Sequence, residues 1–288
     1  MNILVLGGAG HIGSNLISSL IEKNSHYNIY SLDDYSNGSK DNHHEGCFYI
    51  TGNVSNIDEI ICFDVDMVIH LAEFSRVEQS FPQFSHVIEN NIIGTLRVIE
   101  FCLKNNCKLI YSASSAISSI NEKGIVNAPY TLTKNANAEL IKSIAEYKNL
   151  NYCIVYFYNV FGPGEKGIGP NATVVEKFMQ LKLSGKTATI TGLGSQKRNF
   201  THVYDIVDGI IKVMMNGSGD GYYIGNPRSY SIIELANLME LPYTLGPDRL
   251  GNRTQSKLDL QKMQGLNWAP RYELSEYLRN RLNSYYQR

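Results

Sequence analysis

Tyr130 and Lys134 lie four residues apart in the stretch PYTLTK (129–134), directly after Pro129. On a helix, side chains at i and i+4 share one face, so the phenol and the ammonium can act at one point. A free phenol, with a pKa of about 10, is a poor base at neutral pH. A neighbouring ammonium favours the phenolate and makes proton abstraction from an alcohol feasible. Pro129 has no amide hydrogen to lose and a backbone angle suited to a first helical turn, which places the pair near a helix start. Tyr and Lys also meet at this spacing by chance on plain helix surfaces, so the surrounding elements have to decide.

The N-terminus supplies the first of them. ILVL (3–6) reads as a buried parallel strand, and GGAGHIGSNLISSLIEK follows it. Gly7 permits a tight turn, Gly10 lets backbone approach a phosphate, and Gly13 lets a helix pack against the strand. Leu16, Ile17, Leu20 and Ile21 then form an amphipathic stripe. A helix opening this way points free N–H groups and the positive end of its dipole at one place, which suits a pyrophosphate. The spacing is G-x-x-G-x-x-G rather than the commonest dinucleotide fingerprint. The strand NIYSL (28–32) ends at Asp33, twenty residues past Gly13, where a carboxylate can accept hydrogen bonds from an adenosine ribose. Asp33 and Asp34 would repel a 2′-phosphate and no arginine stands near to hold one, so the cofactor expected is NAD rather than NADP.

Further along, CFYI (47–50), DMVIHLA (66–72), KLIYSAS (108–114) and NYCIVYFY (151–158) read as strands. A helix is expected from Ser85 to Lys104 with Ile88, Ile92, Ile99 and Leu103 inward. Another is expected from Tyr130 to Lys148 with Ala136, Leu140, Ile141, Ile144 and Ala145 inward. Alternating strands and helices predict an α/β fold with a doubly wound parallel (Rossmann) sheet. After GPGEKGIGPN (162–171) the rhythm becomes irregular. The division expected is a dinucleotide-binding domain over 1–163, rejoined by the chain around 199–216, and a smaller, interleaved C-terminal region over 164–288.

The 288 residues, 43% hydrophobic and 18% charged, suffice for a substantial core. With 26 basic against 27 acidic residues, bulk charge favours neither nucleic acid nor a membrane surface as partner. Five scattered cysteines without a CxxC argue against structural zinc and a disulfide framework, and no metal site is expected. Cys62, Cys102 and Cys153 adjoin apolar residues and read as buried, inert thiols in a reducing compartment. The opening residues lack the basic start of a signal peptide, and no run approaches the ~18 apolar residues of a membrane span, so the expected location is cytoplasmic.

With VIHLAEFSRV and SASS added to the glycine turn, Asp33 and YTLTK, the chain resembles an extended short-chain dehydrogenase/reductase. It is most similar to nucleotide-sugar 4-epimerases of the UDP-glucose/UDP-N-acetylglucosamine type. GGAGHIGS, NNIIGT (90–95), PYTLTK, FYNVFGPGE (157–165), RNFTHVYD (198–205) and LNWAP (266–270) carry the likeness over nearly the whole chain. The resemblance implies that Ser114 hydrogen-bonds the sugar, that Tyr130 is the acid/base and that Lys134 is its electrostatic partner. Ser112 and Ser115 read as wall or turn residues, although a register slip would exchange them with Ser114. The NAD contacts implied are Gly7, Gly10, His11, Ile12, Gly13, Asp33, Asn37, Asn53, Val54, Leu71, Ala72, Ser75, Asn91, Ser112, Tyr130, Lys134 and Phe157. Two positions depart from the family: Asn53 replaces a usual aspartate, and Ser75 stands where many relatives place a lysine, with Arg76 beside it. Which of Ser75 and Arg76 reaches cofactor or sugar is left open.

For the nucleotide sugar, the resemblance implies diphosphate binding by Arg198 and Arg249, each able to grip phosphate oxygens in bidentate fashion; ordinary surface ion pairs are the plain alternative. Asn159, Asn171 and Ala172 fall near the diphosphate or base, Asn252 near the ribose, and His202 and Tyr204 read as structural. Ser256 matches a wall position that is tyrosine in relatives restricted to plain hexoses, and a serine leaves room for an acetamido group. The activity implied is an NAD-dependent inversion of C4 in a UDP-hexose through a 4-keto sugar, a step of polysaccharide biosynthesis. A 4-ketosugar reductase or related dehydrogenase is the alternative. A 4,6-dehydratase fits less well, because Ser115 and Ala116 stand where those relatives place an acidic pair. A non-catalytic NAD-binding scaffold commonly lacks the tyrosine or lysine. A homodimer packed through the helices near 85–104 and 130–148 is also implied.

Overall fold

The computed structural model describes residues 1–24, 26–115, 128–167, 169, 172–247 and 258–287. Its centre is a sheet of seven strands, numbered here for that sheet alone: β1 (Asn2–Leu6), β2 (Asn28–Asp33), β3 (Cys47–Thr51), β4 (Met67–His70), β5 (Lys108–Ser114), β6 (Tyr152–Phe157) and β7 (Gly219–Ile224). They pair in the order β7-β6-β5-β4-β1-β2-β3, every pair parallel, which is the doubly wound topology expected. The pattern in the sequence gives six of these strands. The seventh, GDGYYI, carries two glycines and an aspartate and lacks the apolar run that marks the others.

Alternation along each strand divides the core. Leu4, Leu6, Val68, Leu109 and Tyr111 face one side, under helices α2 (Gly94–Asn105) and α3 (Pro129–Lys148). Ile3, Val5, Ile69, Ile110 and Val155 face the other, under α1 (His11–Lys23) and, from the C-terminal half of the chain, Ile206, Val207 and Ile210. A third cluster joins Val175, Phe178 and Met179 of α4 (Val174–Leu183) to Ile190, Leu235, Leu274 and Leu278. It is served by short two-stranded ladders, among them Lys197–Asn199 with Ser229–Ser231. Residues Val203–Asn216 form helix α5, which returns to the main sheet beside α1.

Three expectations are corrected. Ahead of α2 the chain passes through a helical turn, Phe84–Val87, and a π-helical segment, Ile88–Ile93. The wider turns shift the helical phase, so Val87, Asn91, Val98, Ile99 and Cys102 point inward while Ile88 is exposed. On α3 the buried face runs through Tyr130, Thr133, Lys134, Asn137, Ala138 and Ile141, and Ala136 lies in solvent. Cys62 is exposed rather than buried, because it follows the single turn Ile57–Ile60 on the rim of the sheet; Cys102 and Cys153 are buried. Among the described residues no helix is long and apolar enough to cross a membrane.

Candidate active site

From β1 the chain builds outward to β2 and β3, then returns to place β4 on the other side of β1. Such a reversal leaves a crevice beyond the C-terminal strand ends, where loops diverge. Gly7 turns there with φ of 80°. A Cβ on Gly8, which the sequence pattern did not single out, would come within 2.3 Å of the Ser31 hydroxyl and 2.7 Å of Ile17. Gly10 caps α1 without a side chain, so the first N–H groups of the helix stay open to an anion. His11 has a buried Nε2 with no hydrogen-bond partner among the described residues. Burial, reinforced by the charges of Arg76 and His202, lowers its pKa to about 4 and keeps the ring neutral.

Asp33 ends β2 with its carboxylate fixed: Ala9 N–H donates to Oδ2 at 2.9 Å and Tyr35 N–H to Oδ1 at 2.8 Å. Burial raises its pKa against these two donors. Asp34 is also opposed by burial, yet donors from Ser36 and Asn53 carry its pKa below the usual value. The Asn53 amide donates to Asp34 at 2.9 Å, which ties the residue that replaces the family's aspartate to the adjacent acid. An open helix N-terminus, an unpartnered histidine nitrogen and an oriented carboxylate fit a dinucleotide with a free 2′-hydroxyl.

The glycine turn opens into a cavity of about 810 Å³ whose far wall carries Ser114, Tyr130 and Lys134. The two members of the Tyr–Lys pair are buried. Lys134 Nζ donates to the Ser112 carbonyl at 2.5 Å and meets the Glu73 carboxylate at 2.6 Å; the side chains of Lys134 and Glu73 are 5% and 1% exposed. Glu73 also accepts from Thr95 Oγ1 at 2.6 Å and Asn137 Nδ2 at 2.9 Å, with the Tyr111 hydroxyl at 3.3 Å. Burial opposes its ionisation, but the Lys134 ammonium and the hydrogen bonds from Lys134 and Thr95 hold its pKa low. His70, lowered to about 4 chiefly by burial, is neutral. The strand register separates the serines. The Ser112 hydroxyl donates to the His70 carbonyl at 2.8 Å, Ser115 is buried, and Ser114, paired with Phe157 across β5 and β6, is the more open.

Gly7, Gly10, His11, Ile12, Gly13, Asp33, Asn37, Asn53, Val54, Leu71, Ala72, Ser75, Ser112 and Phe157 all line this cavity. Asn91 does not: its amide is turned into the core, where it donates to Thr133 Oγ1 and the Phe74 carbonyl and accepts from Phe74 N–H. Asn90 takes a place on the wall instead. At the other end, Asn159 (φ 27°), Ala172 and Arg198 contribute. Asn159 Nδ2 donates to the Asn199 carbonyl at 3.0 Å, joining the turn after β6 to the strand that bears Arg198. Asn171, Arg249, Asn252 and Ser256 lie outside the described residues. His202 caps α5 by accepting from Tyr204 N–H and stacks on Tyr272 at 4.5 Å.

Residues 3–225 match the family described as NAD dependent epimerase/dehydratase. The chain belongs to that family. Its cofactor is accordingly NAD. It is 28% identical to a putative UDP-glucose 4-epimerase of Methanocaldococcus jannaschii, over 98% of this chain and 97% of that one. It is 31% identical to a dTDP-D-glucose 4,6-dehydratase of Dictyostelium discoideum, over 81% of this chain and 60% of the relative. Among solved structures, a UDP-N-acetylglucosamine 4-epimerase from Methanobrevibacter ruminantium, in complex with UDP-N-acetylmuramic acid, superposes with a TM-score of 0.87 at 28% identity and 96% coverage of each chain. Glu73 and Gly8 are the site features that this epimerase/dehydratase's sequence did not disclose, and of the pair Ser75 and Arg76 both line the cavity.

Proposed function

We propose that this protein is a UDP-sugar 4-epimerase acting on UDP-N-acetylglucosamine or UDP-glucose. The observation that carries the reading is the placing of Ser114, Tyr130 and Lys134 on the wall of one cavity with the glycine turn. NAD, when bound, accepts and returns the hydride of sugar C4. Tyr130 takes the 4-hydroxyl proton, Ser114 holds the oxygen, and Lys134 orients the site from beneath. Arg198, with Arg249, would hold the diphosphate, so that the flat 4-keto sugar can turn over while tethered. Tyr130 then returns the proton on the opposite face, and the overall change is an isomerisation with no net oxidation. The lack of an acidic residue directly after Ser114 in the sequence supports this reading over dehydration, and the likeness to 4-epimerases is in keeping with it.

The test is to incubate the purified protein, with its bound NAD, with UDP-glucose and with UDP-N-acetylglucosamine, without added reductant. Chromatography should find the C4 epimer with no net gain of NADH absorbance. NADH accumulating in step with product would instead indicate a dehydrogenase or reductase. Ser256→Tyr should suppress turnover of the N-acetyl sugar while sparing the plain hexose; equal loss of both would remove the acetamido assignment.

A further inference from the structure

The lysine beside the acid/base tyrosine does not carry an unbalanced charge here. Glu73 meets its ammonium at 2.6 Å in a setting nearly closed to solvent. The neighbours of that pair are neutral His70, Thr95, Asn137 and Tyr111, whose ring also lies 5.0 Å under the ammonium. Seen from the phenol, an ion pair is a dipole, and its field falls off faster than that of a single charge.

A second cation lines the same cavity. Arg76 shares it with Tyr130, its buried Nε has no hydrogen-bond partner among the described residues, and nearby Tyr130 and Glu165 offset the lowering of its pKa by burial. No described carboxylate lies within ion-pair distance of it. Glu165 accepts instead from Gly162 N–H at 2.7 Å and from the Thr173 hydroxyl, while His11, the other titratable neighbour, is uncharged. Holding a partly buried guanidinium without a counter-charge within ion-pair distance is costly, so the site gains when negative charge appears beside it.

We propose that Glu73 and Arg76 divide the usual duty of the lysine. Glu73 is a positioning residue that fixes Lys134 and balances its charge, and Arg76 supplies the free positive charge that stabilises the Tyr130 phenolate. The inference rests on the acid/base reading of Tyr130 and adds to it two residues outside the Ser–Tyr–Lys set.

The experiment is the pH dependence of kcat for wild type, Arg76→Gln, Arg76→Lys, Glu73→Gln and the double variant Glu73→Gln/Arg76→Gln. Arg76→Gln should move the acid limb to higher pH by about one unit, a loss of roughly tenfold at fixed pH on that limb, whereas Arg76→Lys should leave it in place. Glu73→Gln, freeing the charge of Lys134, should move the limb to lower pH, and the double variant should return near wild type. An unmoved limb in Arg76→Gln, with only KM changed, would make Arg76 a plain ligand contact and overturn the proposal. An unmoved limb in a folded, NAD-retaining Glu73→Gln would reduce Glu73 to packing. If Glu73→Gln fails to fold, the two Arg76 variants decide. Should wild type turn over no UDP-sugar, the same shifts are read by ultraviolet phenolate titration of the NAD-bound protein against Tyr130→Phe. Failure of the epimerase reading is thereby distinguished from failure of this one.

Discussion

A Cβ added to Gly13 would lie 2.2 Å from the carbonyl oxygen of Gly7. The first turn of α1 therefore rests directly on the backbone of the preceding turn, with no room for a methyl group. Because the near atoms are backbone, they can yield only by moving the turn itself. Gly13→Ala should cost about 1–3 kcal/mol of stability and displace the N–H groups that face the pyrophosphate. The expected outcome is a lower urea midpoint together with loss of co-purifying NAD. A variant that keeps both would show that the turn tolerates displacement.

Asp33 gives a prediction about the cofactor. Its two oxygens are held by Ala9 and Tyr35 at the end of β2, next to Asp34. A 2′-phosphate would bring about two negative charges toward this pair. NADP should bind at least about 100-fold more weakly than NAD, a difference of roughly 2.7 kcal/mol. Asp33→Asn should narrow the gap by weakening NAD and relieving NADP. Titration of the apoprotein with each dinucleotide measures the ratio; equal affinities in wild type would refute the assignment.

How far these features were legible in the sequence varied with how local their causes are. Strand β5 was readable to the residue, because KLIYSAS combines an apolar core with the polar ends of a strand. The glycine turn and Asp33 were readable because both follow from one strand–turn–helix unit. The inward face near Ile88 was not, since nothing in IENNII announces a π-helical phase shift. Glu73 was not singled out in AEFSRV, because only tertiary packing brings Lys134 against it. Arg76 was noticed, but that its Nε finds no partner among the described residues is a property of the folded neighbourhood, not of its neighbours in sequence.

Glu165 makes stability depend on pH. Burial raises its pKa to about 7, although Thr173 and Gly162 donate to it and Arg281 opposes the rise. A carboxyl with a higher pKa folded than unfolded binds protons more tightly in the folded state, so its contribution is fully present below about 4.5 and lost as pH rises toward about 7. The loss is on the order of 3 kcal/mol at most. Glu165→Gln should flatten the fall in the urea midpoint between those pH values and exceed wild type in stability at pH 8. An unchanged slope would mean that the carboxyl ionises as freely folded as unfolded.

The last prediction concerns a second copy of the chain. Phe84, Ile88 and Leu132 are 59%, 45% and 52% exposed, on the segment before α2 and on α3, which pack against each other. The exposure of Ile88 accompanies the π-helical phase shift, while Leu132 lies on the outer face of α3. Exposed apolar side chains on adjoining helices favour association, and a specific interface needs about 1,000 Å² of buried surface. Wild type should sediment as a dimer, and Ile88→Glu combined with Leu132→Glu should sediment as a folded monomer, because the new charges would be desolvated only in the assembly. Unchanged sedimentation in the double variant would place any interface elsewhere, and a monomeric wild type at high concentration would remove the dimer altogether.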